Sequence, residues 1–295
     1  MRGYVPLLLL LAAIWGSSYL FIKVAVRDVP PAAMVELRLL FAVPLLLGYL
    51  ASQVGGRTAL AELRRVGRVG LVLGLANAAL PFTLIAWGEQ HVDSGIAAIA
   101  NATVPIFVVL LALHFRPEER VTRLQAVGIA LGIVGVVVLA GFNPTGGWWA
   151  VAGTLAVVLA SVSYAAANLY AGRRVGRLAT GPVLAAASML AALVLLAPLA
   201  LVRLPAATPS WQALASIAAL GLLGTALAQI VFYRMLRLYG SARSSLVAYL
   251  LPVTALAYGA VLLDEPVTGA TLAGLVLILA GVAIGSGRLR VAWPR

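Results

Sequence analysis

Ten apolar windows, each long enough to cross a bilayer as a helix, follow one another along the 295 residues of this chain. They fall at about 4–24, 32–51, 68–88, 94–114, 121–141, 149–170, 181–202, 211–233, 242–263 and 267–287, with Gly, Pro and Arg clusters in nearly every gap. A backbone in hydrocarbon must satisfy all its N–H and C=O groups internally, which leaves helices and closed barrels, and windows of this length suit helices. Composition removes the soluble alternative: 63% of residues are hydrophobic and 10% are charged, against about 25% charged in soluble domains. The first window is too long for a signal peptide and lacks a clear small-residue cleavage site, so it reads as a retained span. The expected fold is an all-α polytopic membrane protein with ten transmembrane helices.

Two segments match at a fixed offset of 147 residues: Pro105 to Glu118 (PIFVVLLALHFRPE) and Pro252 to Glu265 (PVTALAYGAVLLDE). Each copy holds five windows. Five is odd, so the second copy enters the membrane from the opposite side and lies inverted relative to the first, the plan of many secondary transporters. The expected organisation is a first five-helix repeat at 1–141, a linker at 142–148, a second, inverted repeat at 149–287 and a tail at 288–295. With the N-terminus placed in the cytoplasm, 17 arginines fall on that side, against Lys23, Arg27 and Arg203 on the other. That bias predicts both termini to be cytoplasmic. Trp148 and Trp149 are expected to anchor at the interface, and Glu118 and Glu265 to cap the starts of the fifth and tenth spans.

The net charge of +12 sits in short connectors with no aromatic interleaving, which argues against nucleic acid as a partner. There is no cysteine, and Lys23 is the only lysine, so thiolate metal sites, cysteine nucleophiles and a phosphate-binding GK[ST] loop are excluded. His91 and His114 have no metal-ligand partner at usable spacing, and no Ser–His–Asp arrangement appears. No catalytic residue, metal or cofactor is expected. Glu36 and Arg38 fall near the outer end of the second span, and Glu89 and Asp93 border an outer loop, so no acid is expected inside the bundle. Transport without strict proton coupling follows from that absence.

Uncharged polar residues carry the functional signal. They form stripes at helical spacing: Trp15, Ser18 and Tyr19; Asn77; Asn101; Ser161, Tyr164 and Asn168; Thr225, Gln229 and Tyr233; Ser245 and Tyr249. Such groups are costly in lipid unless they face other helices or a wet cavity. Stripes on six spans, with the second, fifth, seventh and tenth comparatively bare, point to a shared central cavity. Hydrogen bonds that merely hold the bundle together are the competing explanation. Pro81, Pro105 and Pro252 each leave the carbonyl four residues earlier without its partner, namely those of Asn77, Asn101 and Ala248. These prolines are candidate hinges, and the freed carbonyls candidate polar contacts.

The chain resembles the EamA-type permeases of the drug/metabolite transporter superfamily, including bacterial amino-acid exporters. The resemblance runs from about residue 5 to 287. It rests on AIWGSSYLFIKVA (13–25), Pro30 and Pro31 followed by Arg38, the stretch from Ala86 to Pro105 with Gly95, Glu118, and GIALGIVGVVVL (128–139) echoed by GLVLILAGVAIG (274–285). It implies two inverted five-helix repeats around a cavity lined by spans 1, 3, 4, 6, 8 and 9. It also implies export of small metabolites across the bacterial inner membrane by alternating access, with amino acids prominent among the cargoes. Trp15, Asn77, Phe82, Asn101, Tyr164, Asn168, Gln229 and Tyr249 are the expected substrate-binding residues, and the aromatic ones favour aromatic or large apolar amino acids. The expected partners are a small-molecule substrate and membrane lipid, with the chain a monomer or homodimer. The same fold carrying drugs, nucleosides or other metabolites in either direction is the alternative, and a non-transporting membrane scaffold a more distant one.

Overall fold

In the computed structural model, residues 3–115, 122–141, 147–172 and 179–285 are described, and every long element among them is a helix. They run α1 (Tyr4–Ala25), α2 (Pro31–Val54), α3 (Gly56–Arg65), α4 (Gly67–Glu89), α5 (Ser94–Asn101), α6 (Val104–Phe115), α7 (Arg123–Gly141), α8 (Gly147–Gly172), α9 (Gly181–Val202), α10 (Trp211–Ser241), α11 (Val247–Leu262) and α12 (Gly269–Gly285). Eight segments are long and apolar enough to cross a membrane, one of them formed by α5 and α6 together. The shorter α11 and α12 are apolar as well, at 16 and 17 residues. The chain is an all-α polytopic membrane protein. Glu118, most of the 142–148 linker, Arg116, Arg120, Arg173, Arg174, Arg177 and the tail at 288–295 lie outside the described residues.

One element was not expected. GRTALAELRR (56–65) forms α3, with Arg57, Arg64 and Arg65 exposed and only Ala59 buried. At 10 residues it is too short to span. Its basic face suits the membrane surface.

Proline and glycine set where the helices bend. In α4 a π-helical turn occupies Leu75–Ala79 and ends two residues before Pro81. In α10 a longer π-helical stretch occupies Leu220–Leu227 with no proline beside it. The chain breaks at Ala102 and Thr103 just ahead of Pro105, so α5 and α6 are separate pieces of one crossing. Gly240 turns the chain at the end of α10 with φ +78°, a conformation that costs a residue with a Cβ 1 kcal/mol or more, on the order of what a left-handed residue requires. Pro252 sits within α11.

Side-chain contacts fix which connectors share an end of the bundle. Lys23, near the end of α1, donates to the carbonyls of Glu89 and Val92 at 2.8 and 2.7 Å. Asp28, after α1, accepts from the backbone N–H of Ser210 at 2.9 Å and from its hydroxyl. Glu265, after α11, bonds Ser94, and His91 stacks on Trp149 at the start of α8 with ring centroids 5.2 Å apart. All four contacts belong to one end, named here the α1–α2 end. At the other end Tyr4, opening α1, donates to the carbonyl of Arg243.

Small residues bring the helices together. α7 lies against α12 with Gly128 on Gly281 and Gly285, and Gly135 on Ile278; an added Cβ at Gly128 or at Gly281 would strike backbone of the other helix. Gly70 and Gly74 of α4 meet Ala187 and Ala191 of α9 in the same way, and Gly88 meets Gly153 of α8.

Candidate functional site

A cavity of about 390 Å³ lies within the bundle. Its wall takes Trp15, Ser18, Tyr19 and Ile22 from α1; Arg38 from α2; Asn77, Phe82 and Ile85 from α4; Asn101 and Val104 at the α5–α6 break; Tyr164 and Asn168 from α8; Gly224, Thr225, Gln229, Phe232 and Tyr233 from α10; and Ser245, Val247, Ala248 and Leu251 from α11 and the turn before it. The cavity reaches toward the α10–α11 turn, where Asn168 is exposed. At the α1–α2 end it stops at Ile22 and Ile85, both buried.

Of the expected lining residues, Trp15, Asn77, Phe82, Asn101, Tyr164, Asn168 and Gln229 are brought together on this wall. Tyr249 is not. It packs in a separate apolar cluster around Ile99, Ile106, Leu139, Leu275, Ile278 and Val282. The turn at Ser245–Leu246, just before α11, separates it from the continuous periodicity that placed it with Ser245.

The polar wall is tied down by its neighbours. Asn101 donates from Nδ2 to the Tyr19 hydroxyl at 2.8 Å, while Ser161 donates to Asn101 Oδ1 at 3.2 Å and lies behind the wall, fully buried. These two contacts fix the orientation of the Asn101 amide. Ser163 donates to the carbonyl of Ala76 at 2.7 Å, which satisfies one acceptor exposed by the π turn. Thr83 donates to the Ala79 carbonyl at 2.7 Å on the same disrupted stretch. Trp15 and Phe232 pack with ring centroids 5.4 Å apart and supply an apolar patch across from the amides.

Arg38 was missed. It is seven residues past Pro31, about 10 Å along the helix axis at about 1.5 Å per residue, and so lies well inside the bundle rather than at the interface. It is only 5% exposed. Its Nε donates to Thr225 Oγ1 at 2.8 Å, and its guanidinium carbon lies 3.9 Å from the Phe82 ring centroid. Thr225 in turn donates to the Leu220 carbonyl inside the π turn, so the hydroxyl that holds Arg38 is itself oriented. Among the described residues no carboxylate is within ion-pair distance of Arg38. A planar guanidinium held by Nε and stacked on a ring keeps its outer N–H fork for a carboxylate or another anion.

The α1–α2 end corrects two further expectations. Glu265 does not cap the tenth span: its carboxylate accepts from Ser94 N at 2.9 Å, Ser94 Oγ at 2.7 Å and Gly95 N at 3.3 Å, capping α5 instead. Asp264, at φ +55°, turns the chain back so that Glu265 reaches across from the α11–α12 connector. Glu89 is fully buried, and neither carboxyl oxygen has a hydrogen-bond partner. An acid therefore does stand inside the bundle, four residues beyond Ile85, and the premise for transport without proton coupling falls. In the adjoining connector, burial and then the nearby Glu265 push the Asp93 carboxyl above its ordinary value.

A bundle of apolar helices around a cavity with a polar wall, closed at one end, fits a multi-pass membrane transporter. The chain belongs to the EamA-like transporter family, whose model matches residues 3–141 and again residues 151–286. The uncharacterized inner membrane transporter YedA of Escherichia coli K12 is 32% identical to it over 96% of this chain and 90% of its own length. A probable amino-acid metabolite efflux pump of Salmonella typhimurium is 29% identical over 97% of this chain and 95% of its own. A solved crystal structure, 20% identical in sequence, aligns over 98% of this chain and 99% of its own with a TM-score of 0.66, which shows the shared fold.

Proposed function

We propose that this protein exports amino acids, with aromatic or large apolar ones favoured, or similar small metabolites with an anionic group, across the inner membrane by alternating access. One observation carries the proposal: Arg38, buried in the cavity wall over the Phe82 ring, offers an unpaired cationic fork beside an apolar patch. A zwitterion with a ring or a branched chain satisfies both, its carboxylate at Arg38 and its side chain against the packed Trp15 and Phe232 rings. The name of the Salmonella relative supports the same class of cargo.

In this reading two inverted five-helix halves rock about the cavity. Both termini are cytoplasmic, the linker at 142–148 joins the halves, and Pro81, Pro105 and Pro252 act as hinges. The protein is a carrier rather than an enzyme, working as a monomer or homodimer with no nucleic-acid partner.

The test is uptake into liposomes of a labelled panel of phenylalanine, leucine, glutamine, uridine and the cationic dye ethidium. Saturable uptake of phenylalanine or leucine that Arg38→Gln reduces at least tenfold is the expected result. Transport of uridine or ethidium alone, or full amino-acid uptake by Arg38→Gln, would overturn the proposal.

A further inference from the structure

The buried carboxyl at Glu89 has no role in lining the cavity, yet it occupies the point where the α1–α2 end closes. It is the last residue of α4 and is wholly enclosed, with both oxygens unpartnered. The groups facing it are Lys23 and Tyr19 on α1, Arg38 on α2 and Glu265 from the α11–α12 connector, with Asp93 next to Glu265 in its own connector. α5 carries no ionisable side chain, and α8 has only tyrosines.

The nearest groups that could hold a charged Glu89 are engaged elsewhere, and Arg38, whose outer fork is free, is not within ion-pair distance of it. Lys23 directs its ammonium to the main-chain carbonyls of Glu89 and Val92 and makes no ion pair with the carboxylate. The N-terminus of α5, the nearest set of free N–H donors, is taken by Glu265. Glu89 itself stands at a helix C-terminus, where the backbone dipole disfavours an anion. An ionised carboxylate without water, donor or partner is far more costly than a neutral acid in the same place.

We propose that Glu89 is a proton-binding site that latches the α1–α2 end of the carrier. When that end is open, Glu89 meets water and ionises. On closing, the carboxylate takes one proton from the water on that side, and the neutral acid is enclosed between α1, α2 and the α4–α5 connector. Reopening returns the carboxyl to water, where the proton leaves. An acidic compartment on that side therefore drives closure, and so resets the carrier after it has released cargo there. This rests on the transporter reading but not on which cargo is carried.

The chain has no cysteine, so introduced thiols report alone. Val92 is 2% exposed inside the closed end, whereas Leu204 in the α9–α10 connector is 63% exposed. The full-length protein in liposomes is labelled with a membrane-impermeant maleimide as Val92→Cys and, in parallel, as Leu204→Cys, which supplies the thiol's own response to pH. The expected result is a Val92-to-Leu204 labelling ratio that rises with pH by up to about tenfold per unit, the limit for a single proton. The rise should survive in Asp93→Asn and vanish in Glu89→Gln. If Glu89→Gln is not recovered folded, Glu89→Met replaces it as the non-titrating variant. A flat ratio in the otherwise wild-type protein would overturn the latch whichever variants fold, as would an undiminished rise without Glu89. Neither result depends on transport, so this failure is distinct from failure of the amino-acid reading.

Discussion

The α7–α12 seam and the cavity wall are both places where helices meet, built on opposite principles. The seam is glycine against glycine: Gly128 of α7 lies on Gly281 and Gly285 of α12, and neither Gly128 nor Gly281 has room for a methyl group. The wall keeps its helices apart with large polar and aromatic side chains, and it includes a buried cation. Small residues in contact favour one fixed arrangement, because backbone packed on backbone has little alternative. The seam therefore belongs to the frame, while the wall, held by individual hydrogen bonds of about 1 kcal/mol each, can exchange partners as the halves move.

Substitutions should separate the two regions, most sharply where backbone is struck. Gly281→Leu drives a side chain into Gly128 and Gly132 and should abolish the monodisperse folded peak in detergent gel filtration. Arg38→Gln should leave that peak unchanged while uptake falls. Should both variants lose the peak, the wall is as structural as the seam. Arg38→Lys keeps the charge but not the fork that bonds Thr225 and stacks on Phe82, and should cost about tenfold in uptake efficiency. Full activity in that variant would mean that charge alone matters.

Smaller effects are expected behind the wall. Ser161→Ala frees the Asn101 amide and should raise the KM for transported phenylalanine about threefold, as loss of about 0.6 kcal/mol implies, with thermal stability little changed. A stability loss with unchanged KM would place Ser161 in the frame instead. The smallest effect falls at the surface. The Ser210 hydroxyl and backbone N–H hold the Asp28 carboxyl below its usual range. A depressed carboxyl contributes stability above its unfolded-state value and loses it as pH falls through the folded-state value. Asp28→Asn should thus lower the melting temperature slightly at neutral pH and match the wild type in strong acid. The same difference at every pH would show that Asp28 acts through something other than its charge.

The apolar helices, eight of them long enough to cross and two shorter, were legible because lipid exposure demands apolar runs, and the polar stripes because such groups are costly there. Composition could not reveal α3, whose ten residues are neither long nor apolar. Depth was the harder quantity. Arg38 and Glu89 looked interfacial because window edges ignore where a helix starts. The proline pair at 30–31 marks the start of α2, and counting two turns inward from it places Arg38 inside the bundle. No such signal existed for Thr225 and Phe82 as its partners, since they come from α10 and α4. Glu265 was correctly read as a cap, but which helix it caps depends on a turn at Asp264 that brings distant segments together. Tyr249 failed for a related reason: a helical wheel drawn across the Ser245–Leu246 turn assigns it to the wrong face.

The two π-helical stretches, Leu75–Ala79 in α4 and Leu220–Leu227 in α10, have a mechanical consequence. In the language of crystals each is a dislocation, an extra residue inserted into an otherwise regular lattice. A dislocation cannot be smoothed out where it stands; it must glide to the end of the rod or remain. While it remains, the segment beyond it is rotated by about 100°, one residue's worth of α-helix. In α4 that segment begins at Leu80 and carries Phe82, and in α10 it begins at Ala228 and carries Gln229. The facing side chains on these two rods are therefore set by a discrete count of residues, so each rod has separate indexed positions rather than a continuous range of twist.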